Sequence, residues 1–421
     1  MKRLLLLALP LPLLSVPPAD QPPEARLLPI AGKPLRGRLL GIRGGKVSFL
    51  PEGKKTGTAA TLSLEAIEEI DFASPSPAPP AGSFLFLPGG ESLPLQGIRP
   101  GRKGGLKPLF FGKWLKEVPL EKTAGFQWPK RPGRGLPAVL PGLDPSRRPR
   151  GRDILYLVEQ KGRKRDILEV AGSIHSLERG GLVFDFAGKE HRVPLWKVAG
   201  ALLGEPAGKK KEKEQTPPPE RPDQAVEFLR GGRLLGRILR GDASGFLFYH
   251  PVLGEFRIPW KAVLRLRPSL DRVRPVDSLE LLSDRAVPAF DRTWPFAASK
   301  NLEGGPIRIH GRYFEKGLVF LPRRTLVFRV PEGFRLFKAT LGIEDSGGGK
   351  GAALFRVLAG KREVFKKLIR AAGDPVEVRL DLKGARTLTL EADFGPRLDL
   401  GDHCAFARAR LLRPPAGKEE Y

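Results

Sequence analysis

Few residues in this chain have the types and spacing that bond-making chemistry requires. The single cysteine, Cys404, directly follows His403, and a thiol beside an imidazole is the simplest pairing of a nucleophile with a base. Cys404 sits in the apolar stretch Cys404-Ala405-Phe406-Ala407, however, where a thiol reads as a small core residue. Gly41-Ile42-Arg43-Gly44-Gly45-Lys46 is one residue short of a phosphate-cradling loop and lacks the hydroxyl residue that should follow the lysine. Gly241-Asp242-Ala243-Ser244-Gly245 places its serine wrongly for a nucleophile elbow. No HExxH motif and no dinucleotide-binding glycine pattern occurs. A zinc site is not expected, because there is no second thiol and the five histidines are scattered. These residues point away from catalysis and toward binding.

The elements that could position a binding site are β-strands. The 421 residues suffice for several domains, and 41% are hydrophobic, so the chain can build cores. The 50 glycines and 43 prolines favour many short strands and turns over long helices. One cysteine excludes an internal disulfide, so packing must hold the fold. The net charge of +27 raises a polyanion partner. The basic residues are spread through every segment, which fits loose attachment to anionic envelope polymers better than a specific nucleic-acid site.

Residues 1–19 read as an export signal: Lys2 and Arg3 precede an apolar run from Leu4 to Leu14 that is too short to span a bilayer. An uncleaved anchor or a mis-assigned start is the alternative. The expected location is therefore periplasmic, cell-surface or secreted.

Ala73 to Gly82, residues 129–152 and residues 205–224 have linker composition; the last contains Lys209-Lys210-Lys211-Glu212-Lys213-Glu214 and Pro217-Pro218-Pro219. Between them, residues 27–72, 83–128, 153–204 and 225–268 resemble one another. Leu35-Arg36-Gly37-Arg38-Leu39-Leu40-Gly41 echoes Gly232-Arg233-Leu234-Leu235-Gly236-Arg237-Ile238. Val118-Pro119-Leu120, Val193-Pro194-Leu195 and Ile258-Pro259-Trp260 mark the end of the last three units, with Leu62-Ser63-Leu64 in the first. Their irregular spacing predicts four separate small barrels of SH3-like or Sm-like order, of which 83–128 is the most degenerate, rather than a solenoid.

From residue 276 to 413 a period of two is clear. Leu326, Phe328 and Val330 alternate with polar neighbours, as do Phe337, Ala339, Leu341 and Ile343, then Ala353, Phe355 and Val357, then Val376, Val378 and Leu380, then Leu388, Leu390 and Ala392. Short strands with one apolar face each predict two packed sheets. The order of Gly304-Gly305-Pro306-Ile307-Arg308-Ile309-His310-Gly311, Tyr313-Phe314-Glu315-Lys316-Gly317-Leu318, Phe337-Lys338-Ala339, Leu341-Gly342-Ile343-Glu344-Asp345, Phe355-Arg356-Val357, Leu388-Thr389-Leu390 and Asp402-His403 resembles the carbohydrate-binding module of glycoside hydrolase family 98 proteins.

The resemblance implies an all-β, galactose-binding-like sandwich (a jelly roll) that binds a glycan or an envelope polysaccharide. Sugar rings stack on aromatics and present hydroxyls to planar polar groups. Trp294, Tyr313 and Phe314 are the stacking candidates; Arg308, Glu344, Asp345, Asp402 and His403 are the hydrogen-bonding candidates. The aromatics have core packing as their alternative role, and Asp402 and His403 could instead fix the final strand. No cofactor is expected; calcium, familiar in related sandwiches, would need convergent oxygens that no motif here singles out. The chain departs from the family's pattern at Val319 to Arg324, at Ala359, at Phe406 where a Trp is usual, and at Arg408 where an acid is usual. These departures leave the fold intact and open two other functions: a scaffold that recognises protein, or a basic polyanion binder.

Overall fold

The computed structural model describes residues 22–54, 58–72, 83–128, 140, 143–144, 148–161, 164–205, 224–287, 294–349, 351–395 and 401–415. The expected export signal, the Ala73 to Gly82 stretch and almost all of the 205–224 linker lie outside these residues, as does much of 129–152. Every described helix is a single 3₁₀ turn, and the rest is strand and loop.

The first barrel unit runs through strands Glu24–Pro29, Leu35–Arg43, Lys46–Pro51 and Ala60–Ser63, a 3₁₀ turn Leu64–Ala66, and the closing strand Ile67–Phe72. Its opening strand pairs antiparallel with both the second and the closing strand. The unit that begins at Gln224–Phe228 repeats this order through the turn Trp260–Ala262 and the closing strand Val263–Arg267. So does the unit from Asp153–Lys161 to Val198–Leu202. In the unit from Phe84–Leu87 to Gly125–Gln127 the long second strand is broken into Glu91–Pro94 and Gly97–Pro100. Pro119, Pro194 and Pro259 sit immediately before the 3₁₀ turns with φ of −60°, −59° and −75°, the angles their rings impose, and Ser63 takes the place in the first unit.

The second strand bends at a bulge in three units: between Leu39 and Gly41, Ile174 and Ser176, and Ile238 and Arg240. Two residues before each bulge stands a glycine: Gly37, Gly172 or Gly236. A Cβ there would lie 2.0 Å from the Leu50 carbonyl oxygen, 2.2 Å from that of Asp185 and 2.2 Å from that of Tyr249. The partner strand can approach only because the side chain is missing. Gly236→Ala is therefore expected to cost about 1–3 kcal/mol, the usual cost of forcing atoms into a filled site. A urea midpoint equal to the parent's would show that the strands can separate freely.

The four barrels are not separate, contrary to what their irregular spacing and linkers suggest. The closing strands of the first and fourth units pair antiparallel (Ile70 opposite Leu266, Asp71 opposite Arg265), and those of the second and third do the same (Phe126 opposite Ala201). Each closing strand would otherwise leave a free edge of backbone N–H and C=O groups, which the neighbouring barrel satisfies. One hydrophobic core runs through all four units and includes Leu27, Phe49, Phe126, Leu182, Phe228 and Phe246.

The C-terminal sandwich packs a six-stranded sheet on a five-stranded one. The first contains Ala297–Ala298, Gly317–Phe320, Cys404–Leu412, Leu336–Ile343 and Val376–Asp381 in that order, with Val273–Pro275 added beside Cys404–Leu412. The second is ordered Leu281–Ala286, Arg324–Arg329, Thr387–Phe394, Ala352–Ala359, Arg362–Arg370. The alternating residues point into the shared core, where Phe337, Leu341 and Phe406 of one sheet meet Leu326, Phe355 and Leu390 of the other.

The outer face of the six-stranded sheet is covered twice. A hairpin of Ile307–Ile309 and Arg312–Phe314 buries Ile307, Ile309 and Phe314 against Val319, Ala405 and Ala407. Farther along, Lys338 and Arg410 stand opposite each other and reach the first barrel unit. Lys338 Nζ lies 3.2 Å from Glu68 Oε2 and donates to the Pro29 carbonyl at 3.0 Å; Arg410 pairs with Glu68, and Arg408 donates to Glu69 at 3.0 Å. Arg408, the cation that stands where the resembled family has an acid, thus serves the docking of sandwich on barrel.

Candidate functional site

Three segments converge beside the hairpin: the loop from Asn301 to Gly305, the turn Glu344 to Gly347, and Gly401 to His403. The hairpin closes through His310 and Gly311, both at positive φ (53° and 72°), as a two-residue loop matched to strand twist requires. Asp345 clamps that turn: its Oδ1 accepts from the His310 N–H at 2.7 Å and its Oδ2 from the Gly311 N–H at 2.8 Å. Glu344, almost wholly buried, accepts from the Arg308 N–H at 3.2 Å through Oε1 and from the Ser346 N–H at 3.0 Å through Oε2. The Ser346 hydroxyl bonds Glu344 and lies 3.0 Å from His403 Nδ1, which joins two of the segments, and Asn301 Nδ2 donates to Glu344 Oε1 at 3.5 Å, which joins the third. Burial opposes ionisation of Glu344, yet His403, Ser346 and the Arg308 N–H outweigh it and hold the carboxyl below its ordinary value.

The eight candidates divide by this geometry. Arg308 and Tyr313 are cross-strand partners on the hairpin, and both are exposed, Tyr313 at 60%. His403 is partly exposed at the edge of the same cluster. Glu344 is buried and Asp345 is exposed, and both accept from backbone N–H groups and so shape the loops. Asp402 is fully buried and its Oδ1 accepts from the Ala352 N–H at 2.6 Å, so it fixes the start of the final strand. Trp294 is 57% exposed and is tied elsewhere: its carbonyl accepts from Arg324, which pairs with Asp284 in the five-stranded sheet. Phe314, the further stacking candidate, is buried under the hairpin and cannot meet a ligand.

Two members of the cluster escape a reading of residue types. Asn301 is buried, and its Oδ1 accepts from the Gly305 N–H at 2.7 Å and the Glu303 N–H at 3.1 Å. Being the chain's only asparagine was the signal that could have found it. Ser346, which bridges Glu344 and His403, carried no such mark. Cys404 is fully buried and its Sγ lies 3.4 Å from the Asp402 carbonyl oxygen; burial, then the Asp402 charge, pushes the thiol well above its ordinary value. A neutral buried thiol is no nucleophile. Among the described residues no group of three or more His, Cys, Asp or Glu side chains converges to hold a metal ion.

The C-terminal part of the chain is an all-β, two-sheet sandwich with its loop cluster at one end. Residues 278–412 match the NPCBM/NEW2 domain. No curated protein matches the chain. Among solved structures, the CBM51 and INT domains of ZmpB from Clostridium perfringens align at 17% identity over 34% of this chain and 32% of that one, with a TM-score of 0.31. The CBM51 of a Clostridium perfringens GH95 in complex with methyl-galactose aligns at 19% identity over 33% of this chain and 99% of that one, with a TM-score of 0.30. The tandem CBM51 modules of the family 98 glycoside hydrolase of Streptococcus pneumoniae SP3-BS71 align at 11% identity over 78% of this chain and 87% of that one, with a TM-score of 0.30. This chain spans about a third of the length of the first of these chains.

Proposed function

We propose that this is an exported, non-catalytic modular protein in which four repeated barrel units carry a sandwich that binds a glycan. The observation that carries this reading is the exposed Arg308–Tyr313 pair on a hairpin whose turn is clamped by Asp345 and whose first strand is held by Glu344. An exposed aromatic face beside a guanidinium is the minimal equipment for stacking a sugar ring and bonding its hydroxyls, and the clamps hold it in place before the ligand arrives. The match of residues 278–412 to the NPCBM/NEW2 domain supports the same reading. Among the described residues no helix is long and apolar enough to cross a membrane.

The test is a glycan array probed with the intact chain, followed by titration of the best glycan. Tyr313→Ala is expected to weaken binding by about tenfold or more while leaving stability within about 0.5 kcal/mol, because the side chain is exposed and bonds nothing internal. A correctly folded chain that saturates no glycan would refute the reading. It would leave the second one, a scaffold whose sandwich recognises protein. That alternative draws on the internal bonding of Glu344, Asp345 and Asp402, which leaves few polar groups free for hydroxyls.

A further inference from the structure

Where the first and fourth barrel units meet the sandwich, a cleft of about 640 Å³ opens, within the size range of small-molecule sites. Charged side chains from all three bodies line it, and its acids are already engaged. Glu68 holds Lys338 and Arg410, and Glu69 holds Arg408 at 3.0 Å and Arg265 at 3.3 Å. Glu227 lies 3.1 Å from Arg267 and 3.3 Å from Arg265. Glu315 is 3.9 Å from Arg267.

Arg233, at the start of the strand Arg233–Asp242, is the half-buried cation of the lining that is in no ion pair among the described residues. Its cross-strand partner is Glu227, whose carboxylate Arg265 and Arg267 have taken. The Arg233 guanidinium is half-buried in the cleft wall, and its Nε is shielded from solvent without a hydrogen-bond acceptor. Burial and the neighbouring Arg267 both push it below its ordinary value, against the pull of Glu227, Glu315 and Glu91. A half-buried guanidinium with no carboxylate in ion-pair contact is costly, and an incoming oxyanion would supply both a close counter-charge and the acceptors for its planar fork.

We propose that this cleft binds a small molecule bearing a carboxylate or a phosphate, with Arg233 as the residue that grips the oxyanion. The site is distinct from the hairpin cluster of the sandwich and stands whether or not that cluster binds glycan. Its occupancy would also bridge the barrel units and the sandwich, since Arg233 belongs to the one and Lys316, Arg408 and Arg410 to the other.

The experiment is calorimetric titration of the intact chain at low salt with methyl glucuronide, glucose 6-phosphate and neutral methyl glucoside. Saturable binding of one or both anions without the neutral sugar is expected, and which anion binds identifies the group. Arg233→Gln should weaken that binding by about tenfold or more, the worth of a charged hydrogen bond. Arg233→Lys, which keeps the charge and loses the fork, should fall between. Tyr313→Ala should leave it unchanged, and no variant should fall below the parent's thermal midpoint, because the buried Arg233 Nε makes no internal hydrogen bond. The proposal is overturned if neither anion binds, if the neutral sugar binds the Tyr313→Ala chain as tightly as the anions do, if Arg233→Gln binds the anions like the parent, or if Tyr313→Ala abolishes anion binding.

Discussion

Replacing Arg410 with alanine is expected to cost about 3–5 kcal/mol and to loosen the sandwich from the barrels, because it strips a buried carboxylate of its closest cation. Glu68 is 4% exposed, and Arg410 and Lys338 come to it from adjacent strands of the sandwich sheet. Those two cations would repel each other across the strand pair without Glu68 between them. Desolvation is the largest influence on Glu68 and favours its neutral form, but Arg410 and Lys338 together overcome it and hold the carboxyl below its ordinary value of 4.5. With a depressed folded value, Glu68 contributes stability that is fully present above pH 4.5 and lost as the pH falls through that lower value. Without Arg410 the desolvation cost dominates, so the variant should begin to protonate Glu68 and change its stability at a higher pH than the parent. Adjacent Glu69 behaves oppositely: burial outweighs Arg408 and Arg265, Asp71 repels it, and its carboxyl is held above the ordinary value. The comparison is therefore made as the difference between variant and parent, in which the common contribution of Glu69 largely cancels. Urea midpoints between pH 3 and pH 7 provide the measurement. Arg329→Ala, whose partner Glu280 is on the surface, is the control and should leave the midpoint in place. An Arg410 variant that unfolds at the parent's midpoint across this range would show that the sandwich does not depend on the contact.

The sandwich was legible because its core uses one face of each strand. Phe337, Ala339, Leu341 and Ile343 alternate in the sequence and are all buried in the structure, as are Ala353, Phe355 and Val357. The barrel units announced themselves through the apolar-proline-apolar triplets, since proline fits the extended residue before a 3₁₀ turn. The joining of the barrels left no such trace. Strand edges pair through backbone groups that every residue possesses, so Ile70 opposite Leu266 looks like any other apolar residue in the sequence. The docking contact was equally hidden: Arg408 read only as a lost acid, and its meaning depends on Glu69, 339 positions away. In the candidate site the exposed Arg308 and Tyr313 could be picked by type. The difference between a ligand-facing acid and one that clamps a turn could not, because Glu344, Asp345 and Asp402 are alike until the backbone N–H groups around them are placed.

Phe406→Ala is the second large effect, expected to cost about 3–5 kcal/mol as a truncation of a filled core site. The ring is fully buried, stacked on Phe320 at 5.4 Å between centroids and tilted against Phe355 at 5.2 Å, so it joins the two sheets at the middle of the sandwich. Both faces of the sheet are covered here. Val319 and Ala405 support the hairpin on the outside while Phe320 and Phe406 fill the core within. Hence the unbroken apolar run Gly317-Leu318-Val319-Phe320, whose Val319 and Phe320 begin the departure from the resembled family's pattern, is what a strand covered on both sides requires. Restoring that family's tryptophan should not help: Phe406→Trp would place a larger ring among Phe320, Phe355 and Leu341 and bury an indole N–H, at a cost of about 1–3 kcal/mol. The two variants thus straddle the parent, one too small and one too large. Urea unfolding of the intact chain should rank parent, Phe406→Trp and Phe406→Ala in falling stability. A tryptophan variant more stable than the parent would mean that the cavity was shaped for the family's residue and that Phe406 leaves it underfilled.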